Sequence, residues 1–385
     1  MRLPFMQRKA AAPPVLARYP MASLGWAQGA SAVRGYEGLV RDGFGRNPIG
    51  QRAVRTVSEC VAAAPMRVSP TGHRLQALLD QPQPAMNGTE FFEGVAAYLL
   101  LHGNAYLETV DGADGAPVAV YALRPERVTI EADARGWPSA YVYRTGGSVT
   151  RYAAVDVEGR PGLLHVRTFN PLDDHYGLGC LGAAAAAIDT HNAAGVWNAA
   201  LLQNSARPSG ALMYEPADGG TLSAEQYERL KAEMEAGFAG AAKGGRPMLL
   251  EGGLRWQPMS MTPAELDFAA SKAGAAREIA LAFGVPPMIL GLPGDNTYAN
   301  YAEANRALWR VTVLPLAEKL AAALTGYFAH WWPEVTVTID RDAIPALADD
   351  RATLWSTVGA ATFLSDAEKR AMVGLDAVPL AEIGS

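Results

Sequence analysis

Cysteine is nearly absent: Cys60 and Cys180 stand far apart, with no CxxC pair and no Cys/His spacing suited to a metal. That excludes a disulfide framework and a zinc site, and predicts two small buried thiols in a reducing compartment. Long apolar runs are missing too. The longest uncharged helical stretch, Thr190 to Ala206, holds His191, Asn192, Asn198, Gln203 and Asn204, which lipid does not accept, so no membrane span is expected. The first thirty residues are broken by Pro13, Pro14 and Pro20 and lack an apolar h-region, so no signal peptide is expected. Catalytic signatures are equally scarce, with no GxSxG, HExxH or GxxxxGK[ST] anywhere. The 385 residues are 49% hydrophobic and 19% charged, enough to bury a substantial core in two or three domains.

Charge is unevenly spread. Residues 1–58 carry nine Arg or Lys against Glu37 and Asp42, a net of +7, and the whole chain sums to −6. A basic arm rich in Gly, Pro and Ala therefore precedes an acidic body, and its composition predicts partial disorder. An acidic body lacks the cationic face that a sequence-specific DNA reader needs.

The elements alternate. Thr89 predicts the cap of a helix over Glu90 to His102, closed by Gly103. Five β-rich runs follow (AYLETV, VAVYAL, RVTIEA, SAYVYRT and LLHVRTF), separated by turn sequences that read as hairpins. An Ala-rich helix over Leu181 to Ala206 leads to the strand GALMYEP, a helix opened by the capping box Ser223 and Gln226, and a hairpin across RPMLLEGGLRWQPMS. Thr262, Pro263 and Glu265 mark the start of a helix running to Phe283. The chain ends with the strand VTVTID, a helix over Asp349 to Ala361, and a second helix opened by Ser365 and Glu368 and stopped by Gly374. The fold class is α+β.

The stretch from Ala282 to Leu320 is the most specific. A helix stops at Gly284, Pro286 and Pro287. Gly291, Leu292, Pro293, Gly294, Asp295 and Asn296 make a loop, and a helical pattern begins near Thr297 and passes Pro315 to about Tyr327. Pro315 removes a backbone donor, so this helix of about 45 Å should kink there. GVPP before such a loop, HGNAYLE at 102–108, and two helices bracketing a small α/β unit together resemble the portal proteins of long-tailed bacteriophages and gene transfer agents.

That resemblance implies a portal fold divided into an N-terminal arm (1–58), a wing (59–180), a first stem helix (181–207) and a clip (208–261). A second stem helix (262–285), then tunnel loop, kinked helix and wing strand (286–344), and a short crown (345–385) complete it. It further implies a closed ring of about twelve copies at a capsid vertex of a virion or virus-like particle. Ala183, Ala187, Ala269 and Ala273 would pack stem helices between subunits, and Leu292, Pro293, Gly294, Asp295, Asn296 and Thr297 would face DNA. Double-stranded DNA passing without sequence specificity, a large terminase, a head-tail adaptor and the major capsid protein are the implied partners. No enzyme activity, cofactor, metal or membrane contact is implied.

Other readings compete at a few sites. Gly177, Gly179 and Gly182 spell GxGxxG, the pattern of a nucleotide-dependent oxidoreductase. Seven residues separate them from the preceding strand, and no acidic residue stands about 20 positions onward to hold a ribose. A tight turn into a packed helix is the simpler expectation. Asp173, Asp174 and His175 read as a turn rather than a metal cluster, His102, His165, His191 and His330 as scattered, and Tyr327, Phe328, Trp331 and Trp332 as core. A minor capsid or adaptor protein is the remaining structural alternative.

Overall fold

The computed structural model describes residues 35–203, 210–214, 223–238, 254–258, 268–293 and 298–374. Its first elements are α1 (Tyr36–Val40), a π-helical turn (Arg41–Gly45) and α2 (Pro48–Ala63). Asn47 starts α2 by accepting from the Ile49 and Gly50 amides, and Pro48 takes the first helical position, where a missing donor is harmless. Ala53, Val54, Val57 and Val61 recur at helical spacing and are buried. The expected arm of 1–58 is therefore corrected: residues 36–58 are largely helical and supply core, because the arginines alternate with that apolar stripe. Residues 1–34 lie outside the described residues.

β1 (Met66–Ser69), α3 (Arg74–Asp80) and α4 (Gly88–His102) follow. The cap of α4 is Asn87, whose side chain accepts from the Glu90 amide, two residues before the Thr89 expected from sequence. Gly103, at φ 84°, closes this helix in the left-handed region. A meander then runs through β2 (Asn104–Asp111), β3 (Pro117–Leu123), β4 (Val128–Ala132), β5 (Pro138–Thr145), β6 (Ser148–Ala153) and β7 (Leu164–Arg167). It forms two antiparallel sheets, β3-β2-β7 and β4-β5-β6. The aromatic cluster of Tyr106, Tyr141 and Tyr176 with Ile130 and Leu163 joins them.

The second half holds α5 (Cys180–Gln203), β8 (Gly210–Tyr214), α6 (Ala224–Phe238), β9 (Leu254–Pro258) and α7 (Phe268–Ala282). β8 and β9 pair antiparallel from either side of α6, while the first strand and turn of the hairpin expected over 246–260 lie outside the described residues. The Ser223 and Gln226 capping box is present. The Thr262, Pro263 and Glu265 start signal lies outside the described residues.

The last elements are α8 (Tyr298–Leu308), a second π-helical turn (Trp309–Val313), α9 (Leu314–Phe328), β10 (Thr336–Ile339), α10 (Ala348–Ala360) and α11 (Asp366–Met372). β10 pairs antiparallel with β1 across the length of the chain, and Thr325 of α9 both donates to and accepts from Val337 of β10. One large apolar core gathers α2, α4, the lower halves of α5 and α7, and α9 with Phe328, Trp332 and Val335. The aromatic run at 327–332 is thus core, with Tyr327 and Trp332 also buried.

Candidate functional site

The candidate site is the helix pair α5 and α7 with the loop root that follows it. On α5 the positions Leu181, Ala184, Ala187, Ile188, His191 and Ala194 are buried; on α7 they are Ala275, Ala276, Ile279 and Ala280. The two helices pack on each other. The first π turn fits just as tightly: a Cβ at Gly43 would lie 2.8 Å from side-chain atoms of Leu181 and Ile188. Of the four expected packing alanines, Ala187 is inside the subunit core and Ala273 is half-buried. Ala183 and Ala269 are exposed on the single chain.

After α7 the chain turns at Gly284, φ 67°, where Thr312 Oγ1 donates to the Gly284 carbonyl at 2.6 Å. A 3-10 turn over Pro287–Leu290 ends on left-handed Gly291. Arg277 Nη2 then donates to the Pro293 carbonyl at 2.8 Å, an anchor for the loop root that sequence reading missed. Leu292 is half-buried and Pro293 exposed; Gly294, Asp295, Asn296 and Thr297 lie outside the described residues. Pro315 sits at the start of α9, just past the second π turn. A proline interior to one helix was expected. The helical run is indeed unbroken from Tyr298 to Phe328 with Pro315 inside it, and the widened turn at 309–313 just before the proline takes up the missing N–H.

Two asparagines fasten α5 to the body. At its entry, Asn104 is fully buried and accepts at Oδ1 from the Gly177 amide at 2.7 Å, while its Nδ2 donates to the Gly177 carbonyl at 3.2 Å. A backbone N–H can only donate, so this contact fixes which way the amide faces. His165 Nε2 lies 3.0 Å from Asn104 Oδ1 and must carry a proton there. His102 Nδ1 lies 3.1 Å from Asn104 Nδ2 and must present a lone pair. Desolvation lowers the His102 pKa to about 4 and, with the Arg167, His102 and His175 charges, that of His165 to about 3. Both rings are thus neutral near pH 7. His165 also stacks on Tyr106 at 4.3 Å. Two of the histidines expected to be scattered, His102 and His165, meet here because α4, β2 and β7 converge around Asn104, a juxtaposition of residues 61 apart that local pattern does not reveal.

Further along α5, Asn47 repeats the device. Its Oδ1 is held by the Ile49 and Gly50 amides, each at 3.0 Å, and its Nδ2 faces Asn192 Oδ1 at 2.9 Å and His191 Nδ1 at 3.3 Å. Asn192 in turn donates to the Asp42 carbonyl at 3.0 Å. An open cavity of about 730 Å³ adjoins this joint, lined by Asp42, Arg46, Asp189, His191, Asn192 and Lys272 among others. Burial and the Lys272 charge lower the His191 pKa.

The glycines at 177 and 179 are explained by the same corner. A Cβ at Gly177 would stand 2.0 Å from the Gly103 carbonyl oxygen, and one at Gly179 2.4 Å from that of Leu101. Backbone fills the space a pyrophosphate would need, and Gly182 lies in the first turn of α5. HGN and GLG are two halves of one backbone-on-backbone joint. Asp173 likewise makes a turn, accepting from the His175 and Tyr176 amides. Among the described residues no group of three His, Cys, Asp or Glu could hold a metal ion, and no helix is long and apolar enough to cross a membrane.

A β-rich body carrying a long helix pair around a small α/β unit is the architecture of a head-to-tail connector subunit. The family model described as phage portal protein matches residues 48–374, and the chain belongs to that family. Its function is that of a portal. A chain from the neck of a native gene transfer agent particle, computed with C12 symmetry, is 45% identical, covers 96% of this chain and 97% of its own, and superposes with a TM-score of 0.71. A protein of unassigned function from Rickettsia bellii (strain RML369-C) is 40% identical over 342 residues, 87% of this chain and 88% of its own length. An HK97 family phage portal protein from Corynebacterium diphtheriae shares the fold at 18% identity, with a TM-score of 0.56 over 77% of this chain and 94% of its own.

Proposed function

We propose that twelve copies of this chain close a ring at one vertex of a gene transfer agent or phage capsid, forming the channel through which DNA enters and leaves. The observation that carries this is the 45% identity, over nearly the whole length of both chains, to a subunit from a neck computed with twelvefold symmetry. Heterologous contacts whose rotation closes give such a ring without any further part. In this reading α5 and α7 are the stem, α6 with β8 and β9 the clip, the two meander sheets the wing, and α10 with α11 a short crown. The ranges are those given above, with the wing extended back to residue 36.

The residues 292–297 form the tunnel loop in this proposal. Its single charge, Asp295, suits glancing contact with a moving duplex, since each neutralised phosphate would add to the hold on the strand. The motor is a separate large terminase, the clip meets it and later the head-tail adaptor, and the wing meets the capsid protein. The chain itself acts as a structural channel rather than an enzyme. The oxidoreductase reading is set aside because backbone occupies the site its glycines would form. Electron microscopy of the purified protein tests the proposal: rings with a central channel, twelvefold by class averages, are expected. A protein that stays monomeric at all concentrations, or assembles without a central opening, would overturn it.

A further inference from the structure

We propose that the two asparagine–histidine joints, Asn104 with His102 and Asn47 with His191, make the attachment of α5 to the body acid-labile: a proton on either histidine Nδ1 breaks the asparagine clamp beside it. The argument is one of orientation. Each asparagine has its oxygen locked by backbone amides, Gly177 in one case and Ile49 with Gly50 in the other, so its NH2 group is compelled to point at a histidine Nδ1. Protonation there sets donor against donor. The amide then has to turn over, which at Asn104 removes both bonds to Gly177 and at Asn47 removes the cap of α2 and the bond to Asn192. His165 is different, since the nitrogen facing Asn104 already carries its proton.

Other groups face these rings. Tyr36 packs edge-on against His102, 4.7 Å between centroids, and Tyr106 and Tyr141 flank His165. Arg167 and His175 act on His165, and Asp173 acts on the neighbouring Tyr106 and Tyr176. Around His191 the cavity presents Asp42 and Asp189 against Arg46 and Lys272. The sign follows from linkage: a histidine held neutral when closed and free to take a proton when open stabilises the joint fully above pH 6.5. That stabilisation erodes as pH falls from 6.5 and is gone below the closed-state pKa, about 4 for His102. Opening at the first joint should grow about tenfold per pH unit across that interval. The inference concerns the subunit, so it stands or falls independently of ring formation.

The test is deuterium uptake of the full-length protein from pH 7 to pH 4, normalised for intrinsic exchange. Peptides covering 168–180 and 186–195 report the joints, and a peptide within 314–328 reports the body. In the wild type the first-joint peptide should gain about tenfold in opening per pH unit between pH 6.5 and about 4, and the second-joint peptide should rise in the same direction, while the body peptide stays protected. His102→Asn and His191→Asn keep an acceptor that does not titrate, and each should flatten the profile of its own joint. Asn104→Asp still accepts from Gly177 and offers a protonated His102 an acceptor, but loses the donation to the Gly177 and His102 carbonyls, so its first joint should be looser than wild type at pH 7 and should tighten rather than open as the pH falls toward 4. An acid rise unchanged in His102→Asn and Asn104→Asp, no rise in the wild type, or all three peptides opening together would overturn the proposal.

Discussion

α9 and α8 are two parts of nearly one helix, yet they make opposite demands on their surroundings. On α9, Leu314, Ala317, Leu320, Ala321, Leu324, Tyr327 and Phe328 are all buried, and the stripe returns every three or four residues. On α8 residues 299–303 are exposed all round, and from 299 onward the first buried side chain is Leu308. The outer face of α5 resembles α8: Ala183, Ala186, Thr190, Ala193 and Val196 are exposed at helical spacing, with Val196 at 72%. Residues on α9 are stabilised by their own subunit. Residues 299–303 of α8 and the outer face of α5 present small or weakly polar surface to solvent, as a helix completed by neighbouring copies would.

The strongest way to break this comparison is to truncate one residue on each side of it. Phe328→Ala should destabilise the subunit by about 3–5 kcal/mol, read as a fall in the urea midpoint. Tyr301→Ala should leave that midpoint within about 0.5 kcal/mol and lower the yield of rings instead. Equal losses of subunit stability would show that α8 is held by its own chain after all.

Gly177→Ala comes next. Its Cβ would stand 2.0 Å from the Gly103 carbonyl oxygen and 2.8 Å from the Thr168 nitrogen, both backbone atoms that cannot swing aside. Separating them breaks the Asn104 clamp, and leaving a buried amide unmatched costs about 1–3 kcal/mol for each group. A loss of about 3 kcal/mol is expected by denaturation. A loss under about 1 kcal/mol would mean that the corner is loose, and the joint would no longer count as part of the rigid body.

These residues also show what the chain reveals locally and what it hides. The Ser365 and Glu368 capping box, the closure of α4 at Gly103 and five of the meander strands were legible because each rests on a few adjacent residues. β6 was not, since SVTRYA lies on an open edge with almost every side chain exposed and has no apolar alternation to read. β1 was missed because its partner β10 lies some 270 residues away. The family phrase HGNAYLE was visible, but its physical reason was not: Gly103 and Asn104 acquire meaning only when Gly177 arrives beside them. The helix pair was likewise legible as two Ala-rich segments, whereas which alanines face inward depends on how α5 and α7 cross.

Ala183→Trp sharpens the comparison without touching the core. Ala183 is exposed, so the subunit midpoint should stay within about 0.5 kcal/mol of wild type while ring assembly fails or gives aggregates. Normal rings on electron microscopy would take this face of α5 out of the interface. Shortening residues 293–296 should spare both the subunit and the ring, and alter DNA content per particle. Normal particle yield with normal DNA content would remove the loop from packaging.

Pro315→Ala is expected to change stability least, by about 1 kcal/mol or less, because the proline is exposed and the π turn before it already accommodates its missing N–H. Its effect should be geometric. Restoring an N–H at 315 lets the ladder of α8 run into α9 without the wide turn at Trp309–Val313. Tightening that turn rotates Thr312, whose hydroxyl holds the Gly284 carbonyl, and so shifts the root of the loop that Arg277 anchors at Pro293. A structure of the variant should therefore show regular α-helix across 309–313, a broken Thr312 to Gly284 bond and a displaced loop root. If the π turn and that bond survive the substitution, the turn is set by the packing of Trp309 and Val313 against the core, and Pro315 merely follows it.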